Sequence, residues 1–199
     1  MFKRLVQLFL LLLLAAVGVL VWFAWYVSTP LLVPVGGDEP SASPVADSLV
    51  MEPVEAVSAD GTAIEGYLVR PGRPEALSPR QSRVRDTLKL RGRMPHLEAK
   101  PELVVIATSW DQGVKGSLPL AEGLTGAGYT CLVWNPRGNN DARKFCTYGL
   151  KEYADVTALL DAVSRKQGGL PPVAAVGQGF GAAVLLKAAS EDPRIRCMV

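Results

Sequence analysis

At 199 residues and a formal net charge of +2, the chain has room for one ordinary domain with a proper core, and no charge bias marks a nucleic-acid partner. Three cysteines, Cys131, Cys146 and Cys197, and one histidine, His96, are too few and too scattered for a disulfide framework or a zinc site. Neither metal nor cofactor is expected, and the thiols are expected to be unpaired, with a Cys131–Cys146 bridge as the alternative on an oxidising side.

From Leu5 to Val27 the only strongly polar residue is Gln7. As a helix this run spans about 34 Å, enough for a hydrocarbon core of about 30 Å. Trp22, Trp25 and Tyr26 gather at its far end, where an interfacial aromatic belt sits. A cleaved secretory signal is the competing reading, but the run exceeds an ordinary h-region and no A-x-A site follows it. The expectation for residues 1–27 is a signal-anchor helix, with the bilayer as partner through residues 5–27. Lys3 and Arg4 before the span, against Asp38, Glu39 and Asp47 after it, place the N-terminus in the cytoplasm and the main domain on the extracytoplasmic side.

Residues 28–49 read as a flexible linker, because "PVGGDEPSASPVADS" is rich in Pro, Gly, Ser and Ala. A domain is expected over 50–199. It opens with two strands, Glu52–Ser58 and Thr62–Arg70, joined through Asp60-Gly61, a strong hairpin signal. Residues 71–101 then hold Arg73, Arg80, Arg83, Arg85, Lys89, Arg91, Arg93 and Lys100 against Glu75, Asp86 and Glu98. This basic insertion reads as solvated chain between strands, the alternative being a patch for membrane phosphates. His96 within it has no acidic partner at useful spacing and reads as a surface residue.

From Glu102 the pattern alternates. "ELVVIAT", "YTCLVWN", "PPVAAVG" and "RIRCMV" are strands. Leu118–Thr125, Leu150–Lys166 and "GAAVLLKAAS" carry helical spacing, the second stopped by Gly168-Gly169. Strand–helix alternation of this kind predicts an α/β fold with a mostly parallel sheet and flanking helices.

The stretch "VAAVGQGFGAAV" (Val173–Val184) fits two sites. Gly177, Gly179 and Ala182 satisfy the phosphate-cradling pattern G-x-G-x-x-A between a strand and a helix. Two strand–helix units already precede it, which weighs against that reading. The other outline is the nucleophile elbow G-x-S-x-G with its serine missing.

The order of the DG hairpin with "GYLVRP", an apolar strand, "AEGLTGAGYTCLVWNPRGN", "TYGLKEYADVTALLDAV" and a Gly-rich elbow resembles the α/β-hydrolase family, near its serine esterase and aminopeptidase-like branch. Gly138 after Arg137, and the run of Gly149, Glu152 and Asp155, contribute to the match. It covers residues 50–199 and about the N-terminal two-thirds of that fold. The resemblance implies hydrolysis of an ester or amide by an activated serine exposed on a strand-to-helix turn. The amide that follows the serine and one from the loop after the first parallel strand bind the oxyanion. Carried over position by position, the elbow is Gly177, Gln178, Gly179, Phe180 and Gly181, with Gly179 where the nucleophile stands. The oxyanion donors fall on the backbones of Phe180 and, after Thr108-Ser109, Trp110. The acid and histidine of such triads follow the nucleophile, yet Asp192 is too close to the elbow and no histidine follows Gly179. The hydroxyls of Ser109, Ser117 and Ser190 are expected to be loop and helix-end hydrogen-bonders.

These residues imply a degenerate, catalytically inactive hydrolase-like domain. A non-catalytic binding or scaffold module at the membrane surface, holding a small ester, lipid or peptide, is the alternative, and a nucleotide-binding protein the third. "RIRCMV" at the end is expected to leave a hydrophobic sheet edge, as in a fragment of a longer or decayed frame, or one covered by a partner.

Overall fold

From Leu8 to Val27 the chain is apolar all round and has no polar face to present, and Phe2–Leu32 folds as one helix, α1. In the computed structural model, which describes residues 2–32, 46–72, 77–92, 103–109, 112–137 and 145–199, its side chains from Phe2 to Thr29 are exposed, apart from half-buried Ser28. Trp22 and Tyr26, one turn apart, stack with ring centroids 5.6 Å apart.

A short 3₁₀ turn, Ala46–Ser48, leads into strand β1 (Leu49–Val57), which pairs antiparallel with β2 (Ala63–Pro71). The turn between them is closed by Gly61 N–H to Ser58 O at 2.9 Å and Ser58 N–H to Thr62 O at 2.8 Å. Gly61 sits at φ +81°, where a side chain is strained. The remaining strands are β3 (Leu103–Ala107), β4 (Thr130–Trp134), β5 (Val173–Gly177) and β6 (Ile195–Met198). The described strands form a mixed sheet in the order β1-β2-β4-β3-β5-β6. β2 meets β4 antiparallel, and β4, β3, β5 and β6 run parallel.

Both faces of the central strands are covered, as their continuous apolar runs require. Successive residues point to opposite faces. Leu103, Val105, Ala107, Leu132 and Trp134 join one core with α4 (Glu152–Gln167) and α5 (Phe180–Glu191). Val104, Ile106, Cys131 and Val133 join the other with α3 (Gly113–Gly126). Each fully buried Val, Leu or Ile contributes about 1.5–3 kcal/mol, so the three parallel layers hold the central sheet.

α3 starts at Gly113, earlier than the apolar spacing from Leu118 indicates. α4 ends on Gly168 at φ +69°, as the Gly168-Gly169 pair predicts. The basic insertion is not all solvated chain: Pro79–Leu90 is a helix, α2. Ser78 Oγ accepts from Gln81 N–H at 3.2 Å and Gln81 Oε1 accepts from Ser78 N–H at 2.8 Å, a reciprocal cap with Pro79 at the first helical position. Gln81 is buried and donates to Thr125 Oγ1 at 3.2 Å. α2 comes this close because α3 has glycine at 126, where a Cβ would stand 2.7 Å from the Gln81 Cα. The linker residues 33–45, the insertion residues 73–76 and 93–101, and His96 lie outside the described residues. The three cysteines are free thiols, Cys131 and Cys146 buried and Cys197 exposed.

Candidate functional site

The turn from β5 into α5 reverses the chain within two residues, and its three glycines each answer a different constraint. A Cβ on Gly177 would stand 2.4 Å from the Ala182 Cα, and one on Gly181 would stand 2.4 Å from the carbonyl carbon and oxygen of Ala107. Those two positions are closed by backbone. Gly179 is closed by conformation instead, with φ +57° and ψ −125°. Gln178 N–H donates to Ala107 O at 2.9 Å, and Gly181 N–H and Ala182 N–H donate to Gln178 O and Gly179 O at 3.1 Å. This network pins the turn to the end of β3.

Gly179 is exposed, and the side of it where a Cβ would project faces Ser109 Oγ, 3.2 Å away. Phe180 N–H, at the first position of α5, has no acceptor among the described residues. Phe180 is half-buried and meets Tyr148 edge-on, ring centroids 6.2 Å apart. Beneath it lies a cavity of about 10 Å³, room for roughly one water, bordered by Thr108, Trp134, Glu152 and Gly181 among others. Thr108 Oγ1 and Ser117 Oγ lie 3.4 Å apart and both reach Gly113 O, so Ser117 is a buried hydrogen-bonder. Ser190 Oγ donates to Lys187 O at 2.7 Å at the end of α5. Neither hydroxyl approaches the elbow.

Two buried carboxylates hold the loop after β4. Glu152, wholly buried, accepts from Thr147 N–H at 2.6 Å, Thr147 Oγ1 at 2.7 Å and Gly149 N–H at 2.8 Å. Burial pushes its carboxyl up, but these donors outweigh it and the net shift is downward. Asp155, also wholly buried, receives both arms of the Arg137 guanidinium, Nε at 2.9 Å. Burial pushes Asp155 upward, opposed by Arg137 and Ser58. Arg137 further donates to Asp60 Oδ2 at 2.7 Å and to Ser58 Oγ at 3.3 Å, and this bond holds the Asp60 carboxyl far below its ordinary value. One guanidinium thus ties the hairpin turn, the β4–α4 loop and α4 together. Asn135 of the same loop caps α3, accepting from Val114 N–H at 2.9 Å.

No protein-family model matches the chain and no curated protein matches it. Solved structures do. The Pyrococcus furiosus esterase Pf2001 aligns at TM-score 0.59 and 17% identity, covering 84% of this chain and 54% of that one. In a second crystal form of that esterase the TM-score is 0.58, again at 17% identity, with 83% and 55% covered. DcsB, solved with its substrate analogue, gives TM-score 0.50 and 18% identity over 75% of this chain and 44% of its own. The chain has the α/β-hydrolase fold.

This chain spans about half the length of those structures. In an α/β-hydrolase fold the sharp turn between a parallel strand and the following helix is the elbow. The turn between β5 and α5 here is Gly177-Gln178-Gly179-Phe180-Gly181, with glycine in the middle. Trp110, expected as the second oxyanion donor, lies outside the described residues, as does Gly138. Sequence reasoning singled out Glu152 and Asp155 without their roles: Glu152 gathers the Thr147 and Gly149 donors beside the cavity at Phe180, and Asp155 holds Arg137. Asn135 went unnoticed, and only its place directly after a strand and before Pro136 signals a cap.

Proposed function

We propose that this chain is a membrane-anchored α/β-hydrolase-fold protein without triad-based catalysis. One observation carries the reading: the elbow keeps its backbone geometry while the nucleophile position is Gly179, which has no side-chain atom to attack a carbonyl. In a serine hydrolase, loss of the nucleophile alone lowers kcat on the order of 10⁶-fold. The Phe180 amide remains as an oxyanion-type donor with no nucleophile beside it. Ser109, the hydroxyl nearest Gly179, has no described base, and its loop is not the elbow.

The full chain in detergent is assayed with p-nitrophenyl esters and a fluorophosphonate probe. The expected result is no labelling and no turnover above that of the Gly179→Ala variant. Labelling at any serine, Ser109 included, overturns the reading. The one-water cavity beside Phe180 gives no support to a module that holds an acyl or peptide group.

Anchoring rests on α1, long and apolar enough to cross a bilayer and exposed along its length. With Lys3 and Arg4 ahead of it, the N-terminus is cytoplasmic and the domain extracytoplasmic. Retention in the membrane pellet after alkaline carbonate, with the domain cleaved by protease added outside, is the expected outcome. Release by carbonate overturns the anchor, and protection of the domain overturns the orientation.

A further inference from the structure

We propose that the outward face of α2 is a docking surface for the anionic headgroups of the bilayer in which α1 sits, so that the domain lies against the membrane. The proposal rests on the anchoring reading above. α2 and its cap carry Arg80, Arg83, Arg85, Lys89 and Arg91 against Asp86 alone. Buried Gln81, bonded to Thr125 and wedged against Gly126, sets which side of the helix faces α3. Arg80, Arg83, Lys89 and Arg91 are left exposed, and none has an ion-pair partner among the described residues. Arg83 spends only its Nε, on Pro79 O at 3.2 Å. Leu90, two turns along the same face as Arg83, is 89% exposed, an apolar side chain among cations.

The placement of this face favours the bilayer. Glu122 Oε1 accepts from Ser78 Oγ at 2.6 Å and from Ser48 Oγ at 3.4 Å. The N-terminus of α2 therefore lies one carboxylate away from the point where chain arriving from α1 enters the domain. Residues 33–45, which connect α1 to that point, span at most about 45 Å. A basic helix tethered within that reach of a lipid surface meets its headgroups at high effective concentration, and is attracted on contact where they are anionic. A second copy of the chain instead presents the same positive helix, and like charges repel.

The test uses the full chain in nanodiscs of phosphatidylcholine alone and of phosphatidylcholine mixed with phosphatidylglycerol, read by amide hydrogen exchange. Exchange across residues 79–91 is expected to slow about fivefold in the anionic discs, the effect of one basic side chain at such a surface, with α5 unchanged. The difference disappears in Arg83→Glu/Lys89→Glu, whose β3 amides remain protected if the fold stands. It also disappears for the unmodified chain at high salt, where exposed charges are screened. Incorporation into both discs with equal exchange across 79–91 overturns the docking and leaves the anchor intact. Failure to incorporate into either overturns the anchor and the docking with it. Slowing that appears in both discs and grows with the number of chains per disc assigns the face to a second copy and overturns the proposal.

Discussion

The elbow glycines differ in what a methyl group does to each. On Gly181 it runs into the Ala107 carbonyl at 2.4 Å, and backbone on both sides has to move. Gly181→Ala is expected to cost about 3 kcal/mol. On Gly179 it meets only the Ser109 hydroxyl at 3.2 Å, which can rotate away, and the cost of about 1–2 kcal/mol comes from the positive φ. Urea midpoints of the two variants check the order, and a larger loss at Gly179 contradicts it. Cysteine reactivity follows burial in the same local way. Burial pushes the Cys131 thiol far up and the Cys146 thiol up, while Cys197 is exposed. The native chain is expected to take up one equivalent of maleimide, at Cys197. The glycine spacing of the turn was legible in the sequence because a motif fixes residue types at fixed offsets. The reasons for Gly177 and Gly181 were not, since they depend on Ala182 and on Ala107 of another strand.

Two apolar cores join the layers, and single polar residues fix how the loops and α2 sit on them. Removing the Arg137 head group leaves Asp155 buried and unpaired, and Arg137→Met is expected to cost about 3–5 kcal/mol. Adding Asp155→Leu is expected to restore most of that loss, because the charge left unpaired by Arg137→Met is then gone. Thermal unfolding of the two variants and of Asp155→Leu alone completes the cycle, and a double variant as unstable as Arg137→Met refutes the pairing argument. Ser78→Ala removes the α2 cap and one donor to Glu122, and is expected to loosen α2 by about 1–2 kcal/mol. Faster amide exchange confined to residues 79–92 is the expected readout. The buried parallel strands were legible because β3 and β4 are unbroken apolar runs, and the hairpin because Asp60-Gly61 interrupts an alternating pattern. α2 was hidden by its composition: four cations obscure the apolar period, and its sequence signal is the Ser78-Pro79…Gln81 cap. The start of α3 was hidden by Gly113, Gly116 and Pro119, poor helix formers that Asn135 and the sheet hold in place.

Across the whole molecule the carboxylates set an acid limit. Asp60 is held low by Arg137, Asp192 by Arg194, and Glu152 falls below its ordinary value because the Thr147 and Gly149 donors outweigh burial. Groups depressed in the folded state stabilise it above their unfolded values of about 4, and that contribution is lost as pH falls through the folded values. Asp155, shifted upward by burial, acts with the opposite sign and offsets part of the loss. The melting temperature is expected to hold from neutrality to about pH 5 and to fall steeply below about pH 4, with a shallower acid limb in Asp60→Asn. A flat profile to pH 3 refutes this assignment. The β1–β2 hairpin bears on the order of assembly. Its register, Val57 opposite Ala63 through Leu49 opposite Pro71, is local in sequence, and hairpins of this kind close in about 1–10 μs. Among the described strands it is joined to the rest of the sheet through β4, where Val69 faces Cys131 and Gly66 faces Trp134, and loop closure over that separation is slow. During synthesis β2 leaves the ribosome well before β4, so its inner edge has no native partner until β4 follows, and over that interval it is open to wrong pairing.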